Sequence, residues 1–272
     1  MLNKKFRLKR RDKMNNIDSL RNEVDSLTEK HIELEIKLYK LKYPNEKFPI
    51  PEIVISFDFH KDAINIYKEF NYPNWYIDRV DKRGNWDTTK ALTIYSINMK
   101  NSPKIIIKAF EWRDDTILHE LTHVSDYYGY CKRHNYLNLN YLEFIEIKEF
   151  ICVFLFSEFR AFYRGGLYSD EDLQQRMEYE KNEFERNQMK TIEEQNLEAY
   201  YYHSIKYVGF YCACCEKCVP KEEIEIILCE QDKNIIHTLI KFLYPLKDKS
   251  FNEIESYINE FQGILDKMVD KS

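Results

Sequence analysis

The chain has 272 residues, enough for one large domain or two small ones, and 44% hydrophobic with 15% aromatic residues can build a sizeable core. Scarce glycine (6 residues) argues against collagen-like sequence, disorder and Gly-rich phosphate loops, and a net charge of −5 argues against a uniformly basic nucleic-acid binder. Seven cysteines, an odd number without secreted-scaffold spacing, fit reduced thiols or metal ligands better than a disulfide framework.

The first 13 residues, MLNKKFRLKRRDK, carry seven Lys or Arg against one Asp. Such a segment is either a solvated tail or an electrostatic contact for nucleic acid, acidic lipid or an acidic partner. No apolar stretch follows it, so no secretory signal is expected. The most apolar run, FICVFLFSEF at 150–159, is too short to span a bilayer and contains a glutamate. The expectation is a cytoplasmic protein without a membrane span.

Ile17, Leu20, Val24, Leu27, His31, Leu34, Leu38 and Leu41 alternate in steps of three and four. This a/d heptad seam predicts a helix over 15–42, which either forms a homodimeric coiled coil through 17–41 or lies on its own domain. Pro44 and the FPIP stretch at 48–51 end it, so the expected organisation is a basic tail and heptad helix over 1–44 and a second domain over 45–272.

Residues 51–59 read as a strand and 61–70 as a short helix. The stretch 71–90 reads as a loop or irregular hairpin, and 91–99 and 104–110 as further strands. Downstream the patterns are helical: 141–163, stopped by Gly165-Gly166; a charged helix from Ser169 toward Met189; then 196–215, 222–243 and 251–268. Strands first and helices afterwards make the expected class α+β.

Between the last strand and the long helices lies DDTILHELTHVSDYY, residues 114–128. On a helix, positions i and i+4 share a face, so His119 and His123 can offer two imidazoles to one Zn²⁺ ion. Glu120 lies beside that face, in reach of a zinc-bound water whose pKa the metal lowers, and can act as its general base. Ile117, Leu118, Leu121, Val124 and Trp112 are available for the core, and Asp114 and Asp115 suit the helix N-terminus. The competing reading is two surface histidines on a solvated helix.

A catalytic zinc site needs a third protein ligand and an open position. Asp126 lies about 10 Å along the helix axis from His119, too far for convenient ligation, and is expected to orient a ligand histidine instead. His134 would need a tight turn after Tyr130. Glu158, in FLFSEFRAFY, is a charged residue in an apolar run and needs a partner. Metal ligation supplies one; a salt bridge to Arg160 or Arg164 is the alternative.

HELTH followed by a downstream helical glutamate resembles the gluzincin class of zinc metallopeptidases. HELTHVSDYYGY together with SEFRAFY also looks like small metallopeptidase-like proteins of low-GC Gram-positive bacteria and their mobile elements. The resemblance implies a zincin-like fold, with His119, His123 and Glu158 as zinc ligands and Glu120 as the base. In this class an aspartate one turn after the ligand glutamate supports a histidine. Here Phe162 holds that place, which leaves the support to come from elsewhere, with Asp126 the candidate. Arg160, Tyr201 and His203 are candidates to stabilise an oxyanion opposite the metal.

Cys212, Cys214, Cys215 and Cys218 form C-x-C-C-x-x-C, a candidate second metal site only if the helix breaks there. The expected activity is zinc-dependent cleavage of a peptide or protein substrate. The alternative is a non-catalytic coiled-coil adaptor or regulatory binding protein keeping a vestigial zincin domain.

Overall fold

The computed structural model describes residues 26–82, 85–169, 173–193, 196–217, 230–249 and 251–269. The chain divides into two compact units, Met1–Tyr43 and Pro44–Ser272.

In the first unit a helix, α1, covers 26–42. Four residues of the heptad seam, Leu27, Leu34, Leu38 and Leu41, are more than half exposed, whereas Ile32, Ile36 and Tyr39 are the buried apolar residues of this helix. The seam positions Ile17, Leu20 and Val24, the basic segment 1–13 and the rest of the expected helix before residue 26 lie outside the described residues.

The second unit is α+β, with a small sheet followed by helices. Strand β1 (Glu52–Ser56) leads to helices α2 (Phe59–Glu69) and α3 (Asn74–Asp81), strand β2 (Ala91–Ile94) and strand β3 (Lys104–Lys108). Helix α3 falls where a loop was expected. Pro73 is no breaker there, because it occupies the N-cap, ahead of the first helical turn, where its missing N–H costs nothing. The sheet order is β1-β3-β2, with β1 parallel and β2 antiparallel to β3. Ile105, Ile106 and Ile107 in the central strand are fully buried, as expected for a strand covered on both faces. Phe59, Ala63, Ile66, Ile77 and Val80 of α2 and α3 cluster with Ile106 on one face. The opposite face carries Ile105 and its cross-strand neighbour Thr93, on the side where α4 (Asp114–Arg133) meets β2.

Asn71 (φ 61°) and Asn135 (φ 58°) follow the ends of α2 and α4 in the left-handed region, which asparagine tolerates. The helix expected over 141–163 is two helices. Helix α5 (Tyr141–Phe144) opens on a capping box of Asn140 and Glu143, and α6 (Phe150–Tyr168) begins after a turn. Gly165 and Gly166 do not stop α6. A Cβ on Gly165 would sit 3.0 Å from the Asp115 carbonyl oxygen, and one on Gly166 2.8 Å from the Ala213 Cβ, so these glycines serve close helix approach.

Helix α6 packs against α4 and against α8 (Leu197–Glu216), and α7 (Leu173–Glu193) covers α8. Helices α9 (Glu230–Leu243), α10 (Phe251–Ile254) and α11 (Ile258–Val269) complete the core through Ile236, Leu239, Phe261 and Leu265. A 3₁₀ turn at Glu255–Tyr257 interrupts the single helix expected over 251–268. Residues 170–172 of the expected charged helix, Ser250 and the segment 218–229 lie outside the described residues. No helix among the described residues is long and apolar enough to cross a membrane.

Candidate metal centre

Helices α4 and α6 each present one polar strip inside an otherwise apolar contact. On α4, Ile117, Leu118, Leu121 and Val124 are fully buried, each worth about 1.5–3 kcal/mol against exposure. Their packing fixes the rotation of the helix, and that rotation turns His119 and His123 toward α6. On α6 the same is done by Leu155, Phe156 and Phe159, leaving Ser157 and Glu158 facing the histidines.

The histidine rings meet edge to face, with Nε2 of His119 and Nε2 of His123 3.0 Å apart. Glu158 closes the group, with Oε2 3.7 Å from His119 Nε2 and Oε1 3.6 Å from His123 Nε2. The three ligand atoms all lie within 4.8 Å of one another. Two nitrogens each about 2.0–2.1 Å from one zinc ion would be separated by about 3.0–3.4 Å, so the spacing fits. Ring protonation fits as well. His123 Nδ1 meets Ser157 Oγ at 2.8 Å, and the backbone carbonyl of Ala161 accepts from the His119 ring. If each neutral ring spends its proton on α6, both Nε2 atoms carry lone pairs and face each other. A cation between them, with a carboxylate as third ligand, would relieve that repulsion.

Burial disfavours the protonated rings. It pushes His119 well below its ordinary pKa, with His123 and Lys206 adding to the effect, and takes His123 down to about 3. Both histidines are therefore neutral at pH 7, the state in which imidazole binds metal.

Glu120 is buried and is not part of the ligand group. Thr93 of β2 donates its hydroxyl to Glu120 Oε2 at 2.6 Å. Burial raises the Glu120 carboxyl to about 7, with the Thr93 hydrogen bond pulling the other way. A carboxyl poised near neutrality can take a proton and give it back.

Asp126 makes no hydrogen bond to His123. Its Oδ1 is ion-paired with Arg160, its Oδ2 is buried without a hydrogen-bond partner among the described residues, and the nearby Ser157 hydroxyl favours its charged form. Burial raises the Asp126 carboxyl to about 7, with the Arg160 charge pulling the other way. Arg160 also donates to Glu46 Oε1 at 2.6 Å, and Arg164 donates to both Glu46 oxygens at 2.7 and 3.0 Å. Ser125 donates to Glu46 Oε2 at 2.6 Å. The two arginines of the apolar run thus pair with Asp126 and Glu46, and Glu158 faces the histidines.

Of the oxyanion candidates, Arg160 is buried in these ion pairs and the Tyr201 hydroxyl donates to the Leu265 carbonyl at 3.1 Å. His203 is half-buried beside Tyr202, whose ring packs on Phe162, and Phe162 packs on His119. Burial, with Lys206 adding to it, brings His203 down to about 4, so it is neutral at pH 7. His134 ends α4 and lies 3.5 Å from Glu255, outside the ligand group.

The cysteine expectation required a helix break, but α8 runs unbroken through Cys212, Cys214 and Cys215. Burial pushes the Cys212 thiol up and Cys214 to about 11, which keeps both protonated. Among the described residues no cysteine joins a ligand group; Cys218 lies outside them.

Sequence reasoning did not find Thr93, Ser157 or Glu46. Arg160 and Arg164 in an apolar run were the available signal that two buried acids had to exist. Comparison with protein families, with curated proteins and with solved structures finds no match.

Proposed function

We propose that this chain is a zinc-dependent peptidase of zincin-like architecture. The observation that carries the reading is the convergence of His119, His123 and Glu158 within 4.8 Å, with Glu120 adjacent in sequence, buried, and bonded to Thr93. Two neutral imidazoles and one carboxylate from two helices suit zinc and leave room for a further ligand.

Zinc held here would supply Lewis acidity, polarising a carbonyl and lowering the pKa of water toward neutrality. The chain's own residues do the rest. Glu120 accepts a proton from water and returns it to the leaving amine, while Thr93 holds its carboxylate in place. His203, neutral and partly exposed, is the candidate donor to the developing oxyanion. Strand β2 is an edge of the sheet among the described residues and also carries Thr93. An extended peptide pairing with that edge would bring its backbone close to Glu120.

A second reading rests on the exposed face of α1. Leu27, Leu34, Leu38 and Leu41 keep a heptad register and suit a coiled-coil seam of a homodimer or adaptor. The two readings separate at Glu120, which a purely structural zinc site does not need.

The test is zinc per chain by mass spectrometry on the wild type and on His119→Ala, followed by peptide-library cleavage with Glu120→Gln as control. The proposal expects one zinc ion lost in His119→Ala, and cleavage abolished in Glu120→Gln with zinc retained. Zinc unchanged by His119→Ala overturns the metal centre. Zinc present with no cleavage of any peptide favours the adaptor.

A further inference from the structure

The two histidines meet different kinds of polar group on α6. The Ala161 carbonyl, close enough to the His119 ring to favour a proton on it, can only accept a hydrogen bond. The Ser157 hydroxyl, 2.8 Å from His123 Nδ1, can accept or donate. If Ser157 donated to Nδ1, the proton of His123 would move to Nε2 and block the nitrogen that faces His119. The tautomer of His123 therefore depends on where the Ser157 hydroxyl proton goes.

The structure offers it a destination. Asp126, one turn after His123 on α4, has its Oδ1 held by Arg160, one turn after Ser157 on α6, while its Oδ2 is buried without a hydrogen-bond partner among the described residues and so is open to a donor such as the Ser157 hydroxyl. Arg160 is held in turn by Glu46 at 2.6 Å, and Glu46 is fixed by Arg164 and Ser125. Ser157, Asp126, Arg160 and Arg164 are almost completely buried, so water does not compete for these bonds.

We propose that Ser157 is the positioning residue of the metal centre: it accepts the Nδ1 proton of His123 and donates its own to Asp126, while Arg160 and Glu46 hold Asp126 in place. This rests on the reading of His119, His123 and Glu158 as ligands. It makes Glu46, near the start of the second unit and outside the ligand group, a determinant of their affinity. It also accounts for Phe162 standing where the resemblance calls for a supporting aspartate: the support comes from α4, through a serine.

The test uses the full chain with Ser157→Ala, Asp126→Asn and Glu46→Gln, each checked for folding by circular dichroism. The first readout is the ¹⁵N spectrum of the His123 ring in metal-free protein. The wild type is expected to show Nδ1 protonated and Nε2 bare, and Ser157→Ala a mixture containing Nε2–H. The second is Zn²⁺ affinity by competition with a chromophoric chelator, expected to weaken about 10–100-fold in Ser157→Ala and Asp126→Asn, and in the same direction but less in Glu46→Gln. A wild-type tautomer and affinity in folded Ser157→Ala overturns the proposal; should that variant not fold, the same result in Asp126→Asn does so. If the wild type binds no zinc that His119→Ala removes, the metal reading fails by itself, and the tautomer measurement still decides the serine's role.

Discussion

The Thr93 hydroxyl donates to Glu120 Oε2 across 2.6 Å, joining the edge strand to the helix that carries both histidines. Thr93 lies opposite Ile105 in the sheet register, and Ile105 is fully buried, so the threonine has little freedom to move. Replacing it with valine keeps the shape and removes the bond. The Thr93 hydrogen bond favours the charged form of Glu120, so Thr93→Val should leave the base more protonated. Peptide cleavage at pH 7 should fall about tenfold, the loss expected for one hydrogen bond to a charged group. The acid limb of the pH–rate profile should move to higher pH, and an unmoved limb would show that Thr93 does not tune the base.

Glu120 should also cost stability. Below about pH 4.5, its ordinary pKa, it is protonated in both the folded and the unfolded chain and no penalty arises. As pH rises from 4.5 toward 7 the unfolded chain gives up the proton and the folded one keeps it, so stability falls. Above 7 the penalty is complete, up to about 3 kcal/mol. Metal-free Glu120→Gln should therefore melt higher than metal-free wild type at pH 8, and the two should converge below pH 4.5. Equal melting at pH 8 would mean that the carboxylate is better solvated than its burial implies.

His119, Glu120 and His123 were legible because helical spacing places chemistry at i and i+4, and Glu158 because a charge in an apolar run needs an explanation. The order of strands then helices was legible for the same local reason, since alternation and helical periodicity are read over a few residues. Contacts between distant segments were not. Ser125 and Glu46 are 79 residues apart, and nothing in the segment 44–48 marks Glu46 as buried. The glycines misled because Gly-Gly commonly ends a helix, whereas Gly165 and Gly166 answer to α4 and α8, which local sequence does not reveal. The heptad pattern picked out Leu27, Leu34, Leu38 and Leu41, which are exposed on α1, while Ile32, Ile36 and Tyr39 are its buried apolar side chains.

Gly209 links helix packing to the candidate metal centre. A Cβ there would lie 2.7 Å from the Phe162 Cβ and 2.9 Å from the Phe159 carbonyl oxygen. Neither is the far end of a flexible side chain, so α6 and α8 would have to separate. Gly209→Ala should cost about 1–3 kcal/mol in urea unfolding. The Phe162 ring also packs 4.6 Å from the His119 ring, centre to centre, so zinc affinity should fall with stability. Loss of stability with unchanged zinc affinity would show that the centre is insulated from the α6–α8 contact.

Glu46 should behave as a keystone whose removal is acid-sensitive in a defined direction. Burial works against its charge, but the Arg164 hydrogen bonds and the charges of Arg160 and Arg164 outweigh that, and its pKa lies well below the ordinary 4.5. Its contribution to stability is therefore complete above about pH 4.5 and is lost as pH falls below that value. Glu46→Ala leaves Arg164 without this carboxylate and Arg160 with Asp126 alone, a change expected to cost about 3–5 kcal/mol at pH 7. Chemical unfolding across pH should show the gap between wild type and Glu46→Ala narrowing below about pH 4.5. A gap independent of pH would mean that Glu46 stabilises through packing, and that the arginines draw their compensation from Asp126.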